Sequence, residues 1–163
     1  MLTRRAPHSY RLVRISVLSA LSVIGSFIHL PSPIPTVAFD SSPGFFAALY
    51  FGAADGALVS GIGHLVTSIV NGFPLGIFHA PIALGLAVAG AVIGMINRPE
   101  LRWSIVIALA AGVAINSGLV VVVVPVLGWA SSLSLVPFLI LASSMNAAVA
   151  AAAYVAVKGR LRF

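Results

Sequence analysis

One apolar stretch of the sequence carries polar side chains at helical spacing. They are Ser60, His64, Thr67, Ser68 and Asn71. Because the offsets from the first residue are 4, 7, 8 and 11, all of them fall on one face of a helix. If that helix lies in a membrane, its ionisable member, His64, is expected to serve a function. The hydroxyl and amide members have a second interpretation, since such groups often hydrogen-bond across membrane helices.

Other ionisable residues are expected near the end of the same helix. Asp40 precedes a predicted helix, where a carboxylate also suits the helix N-terminus. His29 and His79 lie at the end of one predicted helix and at the start of another. With His64 they could bind zinc or cobalt, but no His-x3-His or similar pair occurs, and we predict no metal site. A pocket for an organic solute, mostly apolar with a few polar groups, is favoured.

Aromatic and amide side chains are further candidates for that pocket. The aromatic candidates for stacking on a ring are Phe39 and Phe73, with Phe45, Phe78 and Trp129. They are equally common as packing or interfacial residues. Asn116 and Asn146 lie in two later apolar segments, where each either reaches the same pocket or bridges helices.

The composition indicates that lipid is the main solvent of these segments. Hydrophobic residues make up 60% of the 163 residues and charged residues 7%, and the mean hydropathy is +1.13. Soluble domains carry about 25% charged residues. The absence of cysteine excludes disulfides and thiolate metal sites. We expect an all-α integral membrane protein with one compact domain, residues 1–163.

The apolar segments predict six transmembrane helices. Their approximate ranges are 12–30, 43–53, 56–71, 75–96, 103–124 and 136–157. The second and third come from one long segment that Asp55 divides, because a carboxylate at mid-membrane is costly. Gly52 to Gly56 is therefore predicted to be a tight turn at the membrane surface. The outer connections are expected at about 31–44, 71–76 and 125–135.

The positions of the basic residues in the sequence test the predicted number of transmembrane helices. All nine Lys and Arg fall in three groups: Arg4, Arg5, Arg11 and Arg14; Arg98 and Arg102; Lys158, Arg160 and Arg162. Cytoplasmic flanks collect Lys and Arg, and an even number of crossings must separate groups on one side. Six helices satisfy this condition with both termini in the cytoplasm. The positive charge is then explained by topology, and no nucleic acid partner is expected.

Motifs for the hydrolysis of ATP or esters are absent. The sequence contains neither Gly-x4-Gly-Lys-Ser/Thr nor Gly-x-Ser-x-Gly. We therefore expect that the chain is not an enzyme and holds no cofactor.

Residues 40–64, from Asp-Ser-Ser-Pro-Gly to Gly-Ile-Gly-His, resemble the substrate-binding S components of energy-coupling factor (ECF) vitamin transporters. The shared features are a Gly-x-x-x-Gly sequence at 52–56 and a glycine-rich third helix. The resemblance implies a vitamin as solute, a membrane coupling protein and two ATPase subunits as partners, and a bacterial cytoplasmic membrane as location. ATP would be used by the partners. Ser16 and Ala20 resemble the family's Ala-x-x-x-Ala docking motif, with Ser in the first position.

Shorter motifs look most like S components for the cobalamin precursor α-ribazole. They are Phe-Asp-Ser-Ser-Pro at 39–43, Gly-His-Leu at 63–65 and Asn-Gly-Phe-Pro-Leu-Gly at 71–76. This resemblance implies that Asp40, His64, Asn71 and His79 contact ribose hydroxyls or the benzimidazole nitrogen, with aromatic side chains stacked on the ring.

Two other functions are compatible with the same residues. One is an S component for a different vitamin, such as cobalamin, riboflavin or pantothenate. The other is a small membrane hydrolase that uses Ser117 or Ser68 with a histidine, for which Asn116-Ser117-Gly118 is a faint sign. A structural subunit that binds no solute is a further alternative.

Overall fold

The computed structural model describes residues 8–29, 38–101 and 103–158, and these are almost entirely helical. The helices are α1 (His8–Ser26), α2 (Ser42–Phe51), α3 (Ala53–Val70), α4 (His79–Ile96), α5 (Ser104–Gly118) and α6 (Val124–Val157). Short 3-10 turns at Gly76–Phe78 and Leu119–Val123 precede α4 and α6. The expectations for Pro31 to Thr36 and for Arg4, Arg5, Arg102, Arg160 and Arg162 lie outside the described residues.

Within the described ranges, three helical stretches are long and apolar enough to cross a membrane: Ala53–Val70, Gly76–Ile96 and Ser104–Val157. The last has 54 residues and contains both α5 and α6. α2 has only 10 residues, which gives about 15 Å at about 1.5 Å per residue, half of a hydrocarbon core of about 30 Å. The fold is thus an all-helical apolar bundle, and the expected six separate crossings are not confirmed.

The start of α6 corrects the predicted third outer connection. Residues 125–135 are helical except at Gly128, whose φ of 76° interrupts the helix. The sequence suggested a loop because it contains Gly128 and several serines. Serine hydroxyls can bond to the preceding turn of their own helix, and the Ser134 hydroxyl donates to the Ser131 carbonyl oxygen at 2.7 Å. The predicted start of the last helix at 136 is therefore wrong.

The predicted surface turn around Asp55 is also wrong in its extent. Gly52 alone makes the turn, with φ 92°, and α3 begins at the next residue. Asp55 consequently lies in the first turn of α3 and is 3% exposed. The Arg11 Nε donates to its carboxylate at 2.7 Å, and the Arg14 guanidinium pairs with the other oxygen. Two arginines from α1 thus compensate a charge that the sequence pattern placed at the surface.

Small residues allow α3 to pack closely against its neighbours. A methyl group on Gly90 of α4 would collide with the Gly56 carbonyl of α3 and lie 2.7 Å from the Ser60 hydroxyl. On the other side, a methyl on Gly63 would lie 2.6 Å from the Ser22 hydroxyl of α1. Such close approach is the usual way for helices to associate in lipid. α3 is therefore held between α1 and α4.

The described basic side chains lie at one end of this bundle. Arg11 and Arg14 meet Asp55 at the start of α3, and the Lys158 ammonium lies 5.6 Å from the Tyr154 ring centroid at the end of α6. α3 has 18 residues and extends about 27 Å from this end to Asn71. The polar stripe of α3 therefore ends far from the positive charges.

Candidate functional site

Asp40, His64 and His79 meet at the end of the bundle opposite the basic residues. Asp40 precedes α2, His64 lies in α3 and His79 begins α4. The His64 Nδ1 is 3.6 Å from an Asp40 carboxylate oxygen. The His64 Nε2 is 3.1 Å from the His79 Nδ1. Three of the residues singled out from the sequence thus form one cluster in space.

The hydrogen bonds of this cluster orient the His79 ring. The Leu75 backbone N–H donates to the His79 Nε2 at 3.2 Å, so that nitrogen carries no proton. A neutral His79 then has its proton on Nδ1, which faces the His64 Nε2 and, at 2.9 Å, the Ser68 hydroxyl. The Ser68 hydroxyl donates to the His64 carbonyl oxygen and is free to accept. The His64 Nδ1 faces the Asp40 carboxylate at 3.6 Å and has no hydrogen-bond partner among the described residues.

Two cavities adjoin the cluster and share Ala38, Asp40, His64 and His79 as walls. The first contains about 700 Å³ of empty space, including its open mouth. Its other lining residues are mainly aliphatic: Leu75, Ile82, Leu86, Leu119, Val120, Val123, Leu135 and Leu139, with Asn116, Ser143 and Asn146 among the polar ones. Such a lining suits an apolar group with a few directed hydrogen bonds.

The second cavity also exposes mainly apolar surface, but more hydroxyl and amide side chains border it. It contains about 530 Å³ of empty space and is bordered by Ser26, His29, Thr67, Ser68, Asn71 and Pro74 in addition to the shared walls. Thr67 is 7% exposed, and its hydroxyl has no hydrogen-bond partner among the described residues. A buried hydroxyl without a partner is costly. Thr67 is therefore suited to a hydrogen bond with a bound solute.

Comparison with known proteins identifies the family. The model of the family described as "ECF transporter, substrate-specific component" matches residues 10–159, which is nearly the whole chain. The chain belongs to this family. A search of curated proteins and a search of solved structures gave no match.

Members of the substrate-specific component family are membrane transport subunits and not enzymes, and they bind a small-molecule substrate and work with an ECF module. Ser68 and Ser117, which the hydrolase alternative required, have other surroundings here. Ser68 donates its proton to a backbone carbonyl. The Ser117 hydroxyl is buried and has no hydrogen-bond partner among the described residues. Within residues 8–29, 38–101 and 103–158, no group of three or more His, Cys, Asp or Glu residues is arranged to hold a metal ion.

Asn146 and Asn116 have different surroundings in this S component. Asn146 is 1% exposed and uses its whole amide within the protein. Its Oδ1 accepts from the Ser42 N–H at 2.8 Å and from the Ser42 hydroxyl at 2.6 Å, and its Nδ2 donates to the Ala38 and Ala142 carbonyls. The hydrogen bonds with Ser42 and Ala38 therefore attach the segment that contains Asp40 to α6. Asn116 lines the first cavity and makes no hydrogen bond with the described residues.

The aromatic candidates are mostly placed away from the cavities. Phe73 contacts the His79 ring edge-on, with centroids 5.6 Å apart. Phe45 is fully buried against Ile93 in the core. Phe39 lines neither cavity, and its carbonyl lies where a side chain on Gly25 would be. Phe78 and Trp129 also line neither cavity. Phe73 also lines neither cavity, and stacking of an aromatic side chain on a solute ring stays a prediction.

Two contributions to the site are absent from the sequence interpretation. Ser26 is 1% exposed, lines the second cavity and accepts a hydrogen bond from the Asn71 Nδ2 at 3.3 Å. The Leu75 N–H, which orients His79, is a backbone group. The Asn-Gly-Phe-Pro turn before Leu75 was visible in the sequence and could have suggested it.

Ser16 and Ala20 are exposed on α1. The neighbouring residues Ile15, Ser19, Ser22 and Ser26 are buried instead. The pair is thus on the surface of the S component, where another protein can reach it.

Proposed function

We propose that this S component captures α-ribazole from outside a bacterial cell and releases it inward when docked on the coupling module. The observation that carries the proposal is the cluster of Asp40, His64 and His79 between two largely apolar cavities, the second of which is also bordered by hydroxyl and amide groups. The benzimidazole ring would occupy the first cavity. The ribose hydroxyls would bond with Asp40, Thr67 and Asn71, and a ring nitrogen with the histidines.

In the proposed topology, the chain crosses the cytoplasmic membrane six times and both termini are cytoplasmic. The distribution of Lys and Arg supports this, because all nine lie in residues 1–14, 98–102 and 158–162. The cavities then open on the outer side. The short α2 would act as one crossing only together with the residues before it.

The partners in this proposal are a membrane coupling protein and two ATPase subunits. The chain itself uses no cofactor, and ATP is consumed by the partners. Docking would use the exposed Ser16 and Ala20, because small side chains let another helix approach closely.

Binding of α-ribazole to the purified chain, without ATP or partners, tests the capture step. Isothermal titration should give one site, and His64→Ala should weaken binding at least about tenfold, because a hydrogen bond to a solute contributes about 1.4 kcal/mol or more. His8→Ala is the matched control, since His8 is exposed at the start of α1. If the chain binds a different vitamin and not α-ribazole, the assignment of the solute is wrong but the proposed transport role stands.

Docking is tested by co-purification with the coupling module. Ala20→Trp should abolish co-purification and leave solute binding unchanged. Ala110→Trp is the control, because Ala110 is exposed on α5, away from the proposed docking pair. Equal co-purification of both variants would remove α1 from the docking surface.

A further inference from the structure

No lysine or arginine of the described residues lies at the cavity end of the molecule. The sequence contains none between Arg14 and Arg98, and none between Arg102 and Lys158. Arg11 and Arg14 are engaged with Asp55 at the other end. No lysine or arginine is found among the described residues that line the two cavities. A bound carboxylate or phosphate would therefore have no lysine or arginine to neutralise it among the described residues of the cavity walls.

The charge that does face the cavities is negative. The Asp40 carboxylate borders both of them, and its side chain is 15% exposed. One of its oxygens accepts from the Ser41 hydroxyl at 3.2 Å, and the other lies 3.6 Å from the His64 Nδ1. Neither partner is a lysine or arginine, and the next ring, His79, accepts a hydrogen bond from the Leu75 N–H.

Both cavities expose mainly apolar surface, but different side chains border them on either side of Asp40. The first presents aliphatic side chains from α4, α6 and the turn at Leu119–Val123. The second adds the Ser26 and Thr67 hydroxyls and the Asn71 amide. A solute that fills both would be largely apolar, with its hydrogen-bonding groups in the second cavity.

We infer that the site selects an uncharged or cationic amphipathic solute, and that Asp40 rejects analogues that carry a phosphate or carboxylate at the polar end. The inference rests on the proposed role as a solute-binding subunit but not on α-ribazole as the solute. In a partly buried site, an anionic group close to a carboxylate is repelled strongly enough to weaken binding by about 100-fold.

Matched pairs of solutes test this selectivity on the purified chain. The probes are α-ribazole, riboflavin and thiamine, each compared with its monophosphate, and pantothenate as a carboxylate. Binding is measured by titration and by the shift in melting temperature. At least one unphosphorylated probe should bind, and its phosphate should bind about 100-fold more weakly. Asp40→Asn, which keeps the size of the side chain, should reduce that ratio to about tenfold or less.

A second variant adds the missing cation. Asn71 is exposed and borders the second cavity, so Asn71→Lys should improve binding of the phosphorylated probe and not that of the unphosphorylated one. Tight binding of pantothenate or of any phosphate by the wild type overturns the inference and leaves the transport role intact. An unchanged ratio of the two affinities in Asp40→Asn overturns the role of Asp40. If no probe binds and the purified chain carries no solute, the proposed function fails as well.

Discussion

Replacing Asn146 by alanine should destabilise the protein, because this side chain joins α6 to the segment that positions Asp40. Three of its hydrogen bonds reach other parts of the chain: two from Ser42 and one to Ala38. At about 1 kcal/mol for each buried hydrogen bond, their loss should lower the free energy of unfolding by about 3 kcal/mol. For a chain of this size, that corresponds to a fall in melting temperature of about 6–12 °C.

Asn116→Ala is the matched control for that experiment. Asn116 borders the same cavity but makes no hydrogen bond with the described residues, so its loss should change the melting temperature by less than about 2 °C. Thermal unfolding in detergent, followed by circular dichroism, gives both values. Equal shifts for the two variants, or a fall of less than about 2 °C for Asn146→Ala, would refute the assignment of Asn146 as the fastening residue.

Three further predictions concern a hydroxyl, a helix crossing and an ion pair. Thr67→Val should weaken solute binding about tenfold with no loss of melting temperature, because the buried hydroxyl has no partner in the described protein; a large loss of stability would contradict this. Gly90→Ala should destabilise the crossing of α3 and α4 by about 2 kcal/mol, whereas Gly118→Ala, which meets open space, should be tolerated in the same thermal assay. Asp55→Ala should lower stability by about 1–2 kcal/mol, because it removes two ion pairs whose arginine side chains are 40% and 28% exposed; an unchanged melting temperature would show that these pairs are unimportant.

The sequence predicted the structure best where the spacing of residues within one helix determines which side chains share a face. The spacing from Ser60 to Asn71 predicts one polar face on α3, and Ser60, Thr67 and Ser68 are buried in the structure. His64 and His79 are 15 residues apart and follow each other across one turn, so their contact could be anticipated from the predicted helix ends.

Contacts between distant segments could not be predicted in this way. The amide of Asn146 bonds with Ser42, which is 104 residues away, and no periodicity distinguishes it from Asn116. Asp55 was placed in a surface turn because its charge is costly in lipid, whereas Arg11, 44 residues earlier, pairs with it. Pairing of this kind depends on how α1 packs against α3, which the pattern of either helix alone does not specify.

The central claim is that this chain binds its solute by itself, in the cavities beside Asp40, His64 and His79. Native mass spectrometry of the protein, extracted gently from cells supplied with vitamins, measures this directly. The account predicts one non-covalent solute per chain, uncharged or cationic, which is lost or much reduced in His64→Ala. A wild-type protein that carries no solute and binds none of the probes would contradict the claim. So would a solute that both His64→Ala and Thr67→Val retain at the wild-type level.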